Sequence, residues 1–348
     1  MILLLLRKKL VISCFLFTLI LAFYIVSSSA NASIIENKRA LKPTKITTSQ
    51  LFFKNKQAQA ISGAEIIDDT PLRITTRSRD SFSVKKKNMD VKLNKIANEG
   101  IFVNDSDTGV SFSMSARTET YTQKDVLDDT IVYRSKDEKT SIGYDVLSCG
   151  IRQSIAIENA DKPTRVTIDY AAAGADYIGF IYDNNGEKDG SAILYDKNGD
   201  PIVGIDVPSA VDKNGVPIQT YYEVNGTELT QVITTTKGSA YPVAATSESY
   251  SSYFKSSKWI TRGKGKYKLS LSIVPKIKAC GAVGAYASWP FLKKKHSKSK
   301  NWSNTAGLKN QYLCHAITVQ NLKTPWNIEP KRPYVSFAST CAQACNPK

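Results

Sequence analysis

The chain has 348 residues, room for about two ordinary domains, and 42% of its residues are hydrophobic, enough for packed cores and too many for wholesale disorder. Lysine and arginine outnumber aspartate and glutamate by 47 to 31, a formal charge of +16, which speaks for anionic partners and says nothing about the fold. Only two histidines are present, which argues against a histidine-based metal centre or a histidine-rich catalytic centre.

Residues 1–32 run from Arg7, Lys8 and Lys9 through an uncharged apolar stretch, Leu10 to Val26, to Ala30-Asn31-Ala32. Basic, then apolar, then A-x-A is the order of a secretory signal peptide, with cleavage expected after Ala32. A retained anchor would need ~20 apolar residues, slightly more than this run offers. The expected location is therefore outside the cell, secreted or held at the cell wall. The exported part would keep five cysteines, Cys149, Cys280, Cys314, Cys341 and Cys345. Export permits disulfides, and the spacing fits no zinc site, so no metal ligands are assigned.

Three zones of charge follow. Residues 33–95 carry 14 basic and 6 acidic side chains, residues 96–250 carry 12 and 24, and residues 251–348 carry 18 and 1. The first zone, 33–95, is lysine-rich with short apolar patches, and reads as a basic, loosely ordered arm. The second, 96–235, shows β-branched runs at 154–157, 166–170, 178–182, 192–195, 202–207, 220–224 and 229–233, separated by Asp183-Asn184-Asn185-Gly186, Asp196-Lys197-Asn198-Gly199, Asp212-Lys213-Asn214-Gly215 and Asn225-Gly226. Asn-Gly accepts the positive φ that tight hairpin turns require, so an antiparallel meander or sandwich is expected. The alternating oxygens of Asp196, Asn198 and Asp200 suggest a calcium loop, but Gly199 stands fourth where an EF-hand needs glycine sixth, and Val207 stands where it needs glutamate. Plain turns are the better reading. Residues 236–252 are rich in serine and threonine and read as a linker.

Residues 253–348 form the cationic, tryptophan-containing domain, expected to be small, α+β and disulfide-linked. Lys264, Lys266 and Lys268 alternate with Gly265, Tyr267 and Leu269, continuing into Ser270, Leu271, Ser272 and Ile273. On a strand this places ammonium and hydroxyl groups on one face and an apolar stripe on the other. Lys293, Lys294, Lys295, Lys298 and Lys300 cluster between Trp289 and Trp302, read as a loop. These eight lysines and Trp302 are the candidate anion-binding residues; the interleaved aromatics suit a membrane interface or stacking on bases. A helix is expected over 303–319, capped by Ser303 or Thr305. Three prolines forbid one over 324–333. Residues 334–345 could form a closing helix, and four cysteines in this zone allow three pairings.

Asn310-Gln311-Tyr312-Leu313-Cys314-His315, then Trp326-Asn327-Ile328-Glu329-Pro330-x-Arg332-Pro333, then Cys345-Asn346-Pro347 carry a resemblance. In these motifs residues ~250–348 resemble the bacterial secreted family known as domain of unknown function 2599. The resemblance implies a Cys314–Cys345 bridge; Cys280–Cys341 would follow, leaving Cys149 over. More faintly, residues ~211–245 resemble a segment preceding varied C-terminal domains of exported bacterial proteins.

No G-x-S-x-G, H-E-x-x-H or phosphate-cradling glycine loop occurs, so no catalytic residue and no cofactor are assigned and the chain reads as a non-enzyme. The expected function is binding: the cationic domain meets an anionic wall polymer or an anionic membrane surface, nucleic acid being a weaker candidate. The acidic module would dock on the basic domain and cover an antibacterial surface until proteolysis in the linker. Alternatives are a secreted ribonuclease toxin using His315 and Glu329 as its acid/base pair, and a wall-associated structural protein.

Overall fold

The computed structural model describes residues 72–348 except 87–88, 118–121, 128, 138 and 148–149. The signal segment, residues 33–71 of the arm and Cys149 lie outside the described residues. From Thr76 the chain weaves between two sheets. It starts in the first with β1 (Thr76–Arg77), β2 (Ser81–Lys86), β3 (Met89–Asn94), β4 (Ile101–Asp105) and β5 (Val110–Ala116). It crosses to the second for β6 (Thr122–Leu127), β7 (Thr130–Arg134), β8 (Thr140–Val146) and β9 (Gly150–Ile157), and returns for β10 (Thr164–Ala172). The second sheet then gains β11 (Ala175–Tyr182), β12 (Lys188–Asp196), β13 (Pro201–Ile205) and β14 (Ser209–Val211), the first gains β15 (Thr220–Asn225) and β16 (Glu228–Ile233), and β17 (Val243–Tyr250) closes the second. Every pairing is antiparallel, and one apolar core, from Phe82 and Val91 to Ile168, Leu194 and Val243, draws on both sheets.

The strands expected between 150 and 235 are present, and no helix interrupts them. Three of the Asp-x-Asn-Gly stretches share one geometry. Asp183, Asp196 and Asp212 each accept backbone N–H groups two and four residues on, at 2.8–3.0 Å. Their carboxylates are spent on holding the turns. Two of the turns join paired strands, but Asp212–Gly215 leads from one sheet to the other.

Two boundaries differ from expectation. Residues 76–94 of the supposed loose arm are three strands of the first sheet. Phe82, Val84, Met89, Val91 and Leu93 alternate inward while Lys85, Asp90 and Lys92 point to solvent, a period of two hidden by the lysines. The supposed linker, 236–252, contains β17, which is buried along its whole length and lies between β13 and β9. Its small residues let two layers press on it at once. Val243 and Ala245 enter the sandwich core, and Ser249 Oγ meets Tyr170 Oη at 2.9 Å. On the other face Thr246 Oγ1 meets Ser209 Oγ at 2.8 Å and Glu248 faces Arg152. Proteolysis within 243–252 would have to unzip a central strand.

Beyond β17 come β18 (Phe254–Thr261), β19 (Leu269–Pro275) and β20 (Trp326–Ile328), a three-stranded antiparallel sheet with β19 in the middle. Against it pack α1 (Gly281–His296), α2 (Thr305–Cys314) with a π-helical continuation to Val319, and α3 (Phe337–Ala342), around Leu271, Ile273, Trp289, Leu308, Tyr312 and Trp326. The helix expected over 303–319 is thus present, capped by Asn304, whose Oδ1 accepts Gly307 N–H at 3.2 Å. Helix α1 was not expected, since Gly284 and Pro290 interrupt its pattern. Gly284 has a positional reason: a Cβ there would stand 2.3 Å from the carbonyl oxygen of Lys278.

Candidate anion-binding surface

Lys264, Lys266 and Lys268 lie in the turn between β18 and β19 and not on a strand, so the alternating cationic face over 264–273 is not formed. The glycines decide this: Gly263 (φ 58°) and Gly265 (φ 103°) take backbone conformations that close the chain, and Arg262 N–H reaches Lys268 O at 2.6 Å. The three ammonium groups are exposed, whereas Ser270 and Ser272 are buried. Lys293, Lys294 and Lys295 are the last turn of α1, where cations complement the helix dipole, and Lys298 and Lys300 follow in an exposed turn. Lys294 is committed elsewhere: its Nζ donates to Pro201 O at 2.9 Å, in the acidic module. Trp302 is half-buried, its ring 5.7 Å from that of Trp289 and its Nε1 donating to Thr305 Oγ1 at 2.9 Å. It walls the turn and is no free platform.

Residues that sequence reasoning missed join the two turns. Arg332 stacks its guanidinium 4.4 Å from the centre of the Tyr267 ring, within the β18–β19 turn. Its carbonyl accepts from Asn304 Nδ2 at 2.7 Å, at the far end of the 297–304 turn. Residues 262–268, 331–332 and 297–304 are therefore neighbours. Lys309 adds to the crowding: burial, and then the charge of Lys293, hold its ammonium below the usual range.

Glu329, the single carboxylate side chain of 251–348, is completely buried. Its Oε2 accepts Arg332 Nε at 2.6 Å and its Oε1 accepts Ser270 Oγ at 3.0 Å, with Arg262 Nη2 at 3.5 Å. Gln311 clamps its backbone, at 2.9 Å to the N–H and 3.1 Å to the carbonyl. His315 lies flat against Trp326, ring centres 6.4 Å apart. Among the described residues no hydrogen bond or ion pair joins His315 to Glu329.

Burial, helped by Lys323, pulls the His315 pKa down to about 4. Burial and then Lys295 do the same for His296, whose Nε2 meets Ser257 Oγ at 2.8 Å. Both rings are neutral in the folded chain at pH 7, so the cationic surface consists of lysine and arginine. Between pH 6.5 and 4 the unfolded chain takes up histidine protons that the folded one refuses. Stability should therefore be fully present above pH 6.5 and fall as pH drops toward 4. Burial raises the carboxyls of Asp206 and Asp189, which opposes part of this loss. We expect a net loss of about 2 kcal/mol between pH 7 and 4.5 in urea unfolding followed by tryptophan fluorescence, and a flatter profile in H296Q/H315Q.

The tail is held by the Cys314–Cys345 disulfide, Cα atoms 5.5 Å apart. The chain reaches it by turning through left-handed Ala344 (φ 49°) and Cys345 (φ 63°) beyond α3. No bridge joins Cys280 to Cys341, contrary to expectation: both are thiols, and Cys280 Sγ is directed to Lys276 O at 3.9 Å and Asn321 Oδ1 at 3.7 Å. The bridge closes a span of 31 residues, for which the loop-entropy relation gives about 3–4 kcal/mol. C314S/C345S should lose that much stability by denaturant titration, with Arg332, bound to Pro347 O at 3.1 Å, losing part of its support.

This region also meets both sheets, chiefly the second. Lys278 Nζ pairs with Glu248 Oε2 at 2.8 Å and Asp206 Oδ2 at 3.6 Å, α1 packs on β11, β12 and β13, and Ser251 Oγ donates to Asp105 Oδ2 at 2.6 Å. No curated protein matches the chain. Residues 254–348, which hold the clustered lysines, the buried Glu329 and the Cys314–Cys345 bridge, match the model of the family described as "Protein of unknown function (DUF2599)".

Proposed function

We propose that the chain is an exported two-module protein whose C-terminal region binds an anionic polymer or surface of the cell envelope. The carrying observation is that its one carboxylate side chain is buried and neutralised by Arg332 and Arg262, so the exposed lysines of 262–268 and 293–300 have no acidic partner within their own region. A surface of this kind gains by displacing counterions from a polyanion or by approaching anionic headgroups, the latter worth ~1 kcal/mol per lysine. On this reading the acidic module anchors the cationic one: it engages Lys278 and Lys294 and leaves the two turns open to solvent.

The test is co-sedimentation of the purified chain with phosphatidylglycerol vesicles, phosphatidylcholine vesicles and isolated bacterial walls over a series of salt concentrations. Binding to the anionic partners should weaken steeply with salt, and K264Q/K266Q/K268Q should lower affinity by ~100-fold. Salt-insensitive binding, or a triple variant that binds as tightly as the unaltered chain, overturns the reading.

A further inference from the structure

The outer face of the first sheet carries a second feature, far in composition from the lysine turns. The register aligns Ser83, Lys92, Phe102, Ser113 and Ala171 in one row across β2, β3, β4, β5 and β10. A second row, Lys85, Asp90, Asn104 and Ser111, runs beside it. Together they line an open groove of about 590 Å³.

Phe102 is 48% exposed in the middle of this polar face. Its cross-strand neighbours on either side are Lys92 and Ser113, and beyond Ser113 stands Ala171, so small side chains leave one flank of the ring low and open. On the second sheet some surface aromatics are covered: Tyr177 stacks on Tyr195 at 5.2 Å, and Lys188 covers Phe180 at 4.0 Å. Among the described residues Phe102 has no ring or cation partner. The charges divide similarly. Lys85 is paired with Asp90 at 3.6 Å, while Lys92 has no ion-pair partner among the described residues. Asn104 and Ser111 are joined at 2.9 Å, fixing one polar edge of the groove.

An accessible apolar ring, an adjacent unneutralised ammonium and a rim of hydroxyl, amide and carboxylate groups are complementary to one kind of ligand. We propose that this groove binds an acidic saccharide, a pyranose that lays its C–H face on Phe102 and directs its carboxylate to Lys92, with its hydroxyls met by Asn104, Ser113 and Asp90. A neutral sugar would leave Lys92 unanswered, and a simple anion would leave Phe102 exposed. The site is independent of the lysine turns and does not rest on the function proposed for them.

Calorimetric titration of the purified chain with tetragalacturonate, beside neutral N-acetylglucosamine tetramer, tests this. Binding of the acidic tetramer should weaken ~10-fold in F102A, the scale of one aromatic contact, and by a similar factor in K92Q. It should persist in F102Y and in K264Q/K266Q/K268Q. Phe102 and Lys92 are surface side chains, so thermal midpoints of the variants should match the unaltered chain. Affinity in F102A and K92Q as high as in the unaltered chain, loss confined to the lysine-turn variant, equal binding of the neutral tetramer, or no saturable binding of the acidic one each overturns the proposal.

Discussion

Replacing Gly204 by valine should separate the C-terminal region from the sheet it rests on and cost about 3 kcal/mol or more. Gly204 sits in β13 opposite Tyr250 of β17, and a Cβ built on it would stand 1.9 Å from Tyr253 Oη and 2.7 Å from the ring carbon that bears it. Tyr253 cannot swing aside freely. It is buried, with its ring 5.9 Å from Tyr250 and 5.1 Å from Phe291 of α1, inside the second core. The contact is also where chain connectivity and packing coincide, since Tyr253 immediately precedes β18. In G204V the tryptophans, all beyond residue 250, should report unfolding at lower urea than the unaltered chain. Y253L placed in the same chain should return part of the loss, because a double-mutant cycle between touching residues departs from additivity. An unchanged midpoint in G204V would mean that the region does not rest on β13 in this way.

The second large effect concerns charge. Register sets Asp145, Arg152 and Glu248 side by side on β8, β9 and β17. Arg152 Nε meets Glu248 Oε1 at 2.7 Å, Asp145 lies 3.8 Å from Nη1, and Lys278 approaches Glu248 from the C-terminal region. All three sheet residues are buried. Burial by itself would raise the Glu248 pKa, but Lys278 and then Arg152 outweigh it and hold the carboxyl below its usual range. Glu248 therefore stabilises the fold above the unfolded carboxylate pKa, and this contribution is lost as pH falls through its lowered folded value. R152M removes the guanidinium that stands between Asp145 and Glu248, leaving Lys278 beside Glu248, and should cost about 3–5 kcal/mol, the scale of orphaning a buried charge. R152M/E248M removes one charge of each sign and should cost less than R152M alone. If the double variant is the worse of the two by urea titration, the network stabilises through its net attraction and the desolvation argument fails.

Much of the strand content was legible because its signal is local. Asn-Gly turns mark positive φ within two residues, and the alternation of β10, β12 and β16 can be read one strand at a time. The Cys314–Cys345 bridge followed from motif resemblance. The buried ion network was not legible: Asp145, Arg152 and Glu248 span more than 100 positions and meet only through register. The lysine alternation at 264–268 looked like a strand, but Gly263 and Gly265 let the chain close a turn there, a choice made by the pairing of β18 with β19. Arg332 stood out in the sequence only as part of a family motif beside Glu329, and nothing local showed that it unites the two cationic turns.

Residue order alone determined that positive charge accumulates after residue 250, a sum over residues that no folding can change, and that 150–235 is β-forming, because its turn and alternation signals are local. Tertiary structure decided what β17 is. Its serines and threonines are as compatible with a solvated connector as with a strand, because hydroxyls can be satisfied equally by water or by one another. Only the closing of β9 and β13 on either side, with a core beneath and Lys278 above, makes burial the lower free energy.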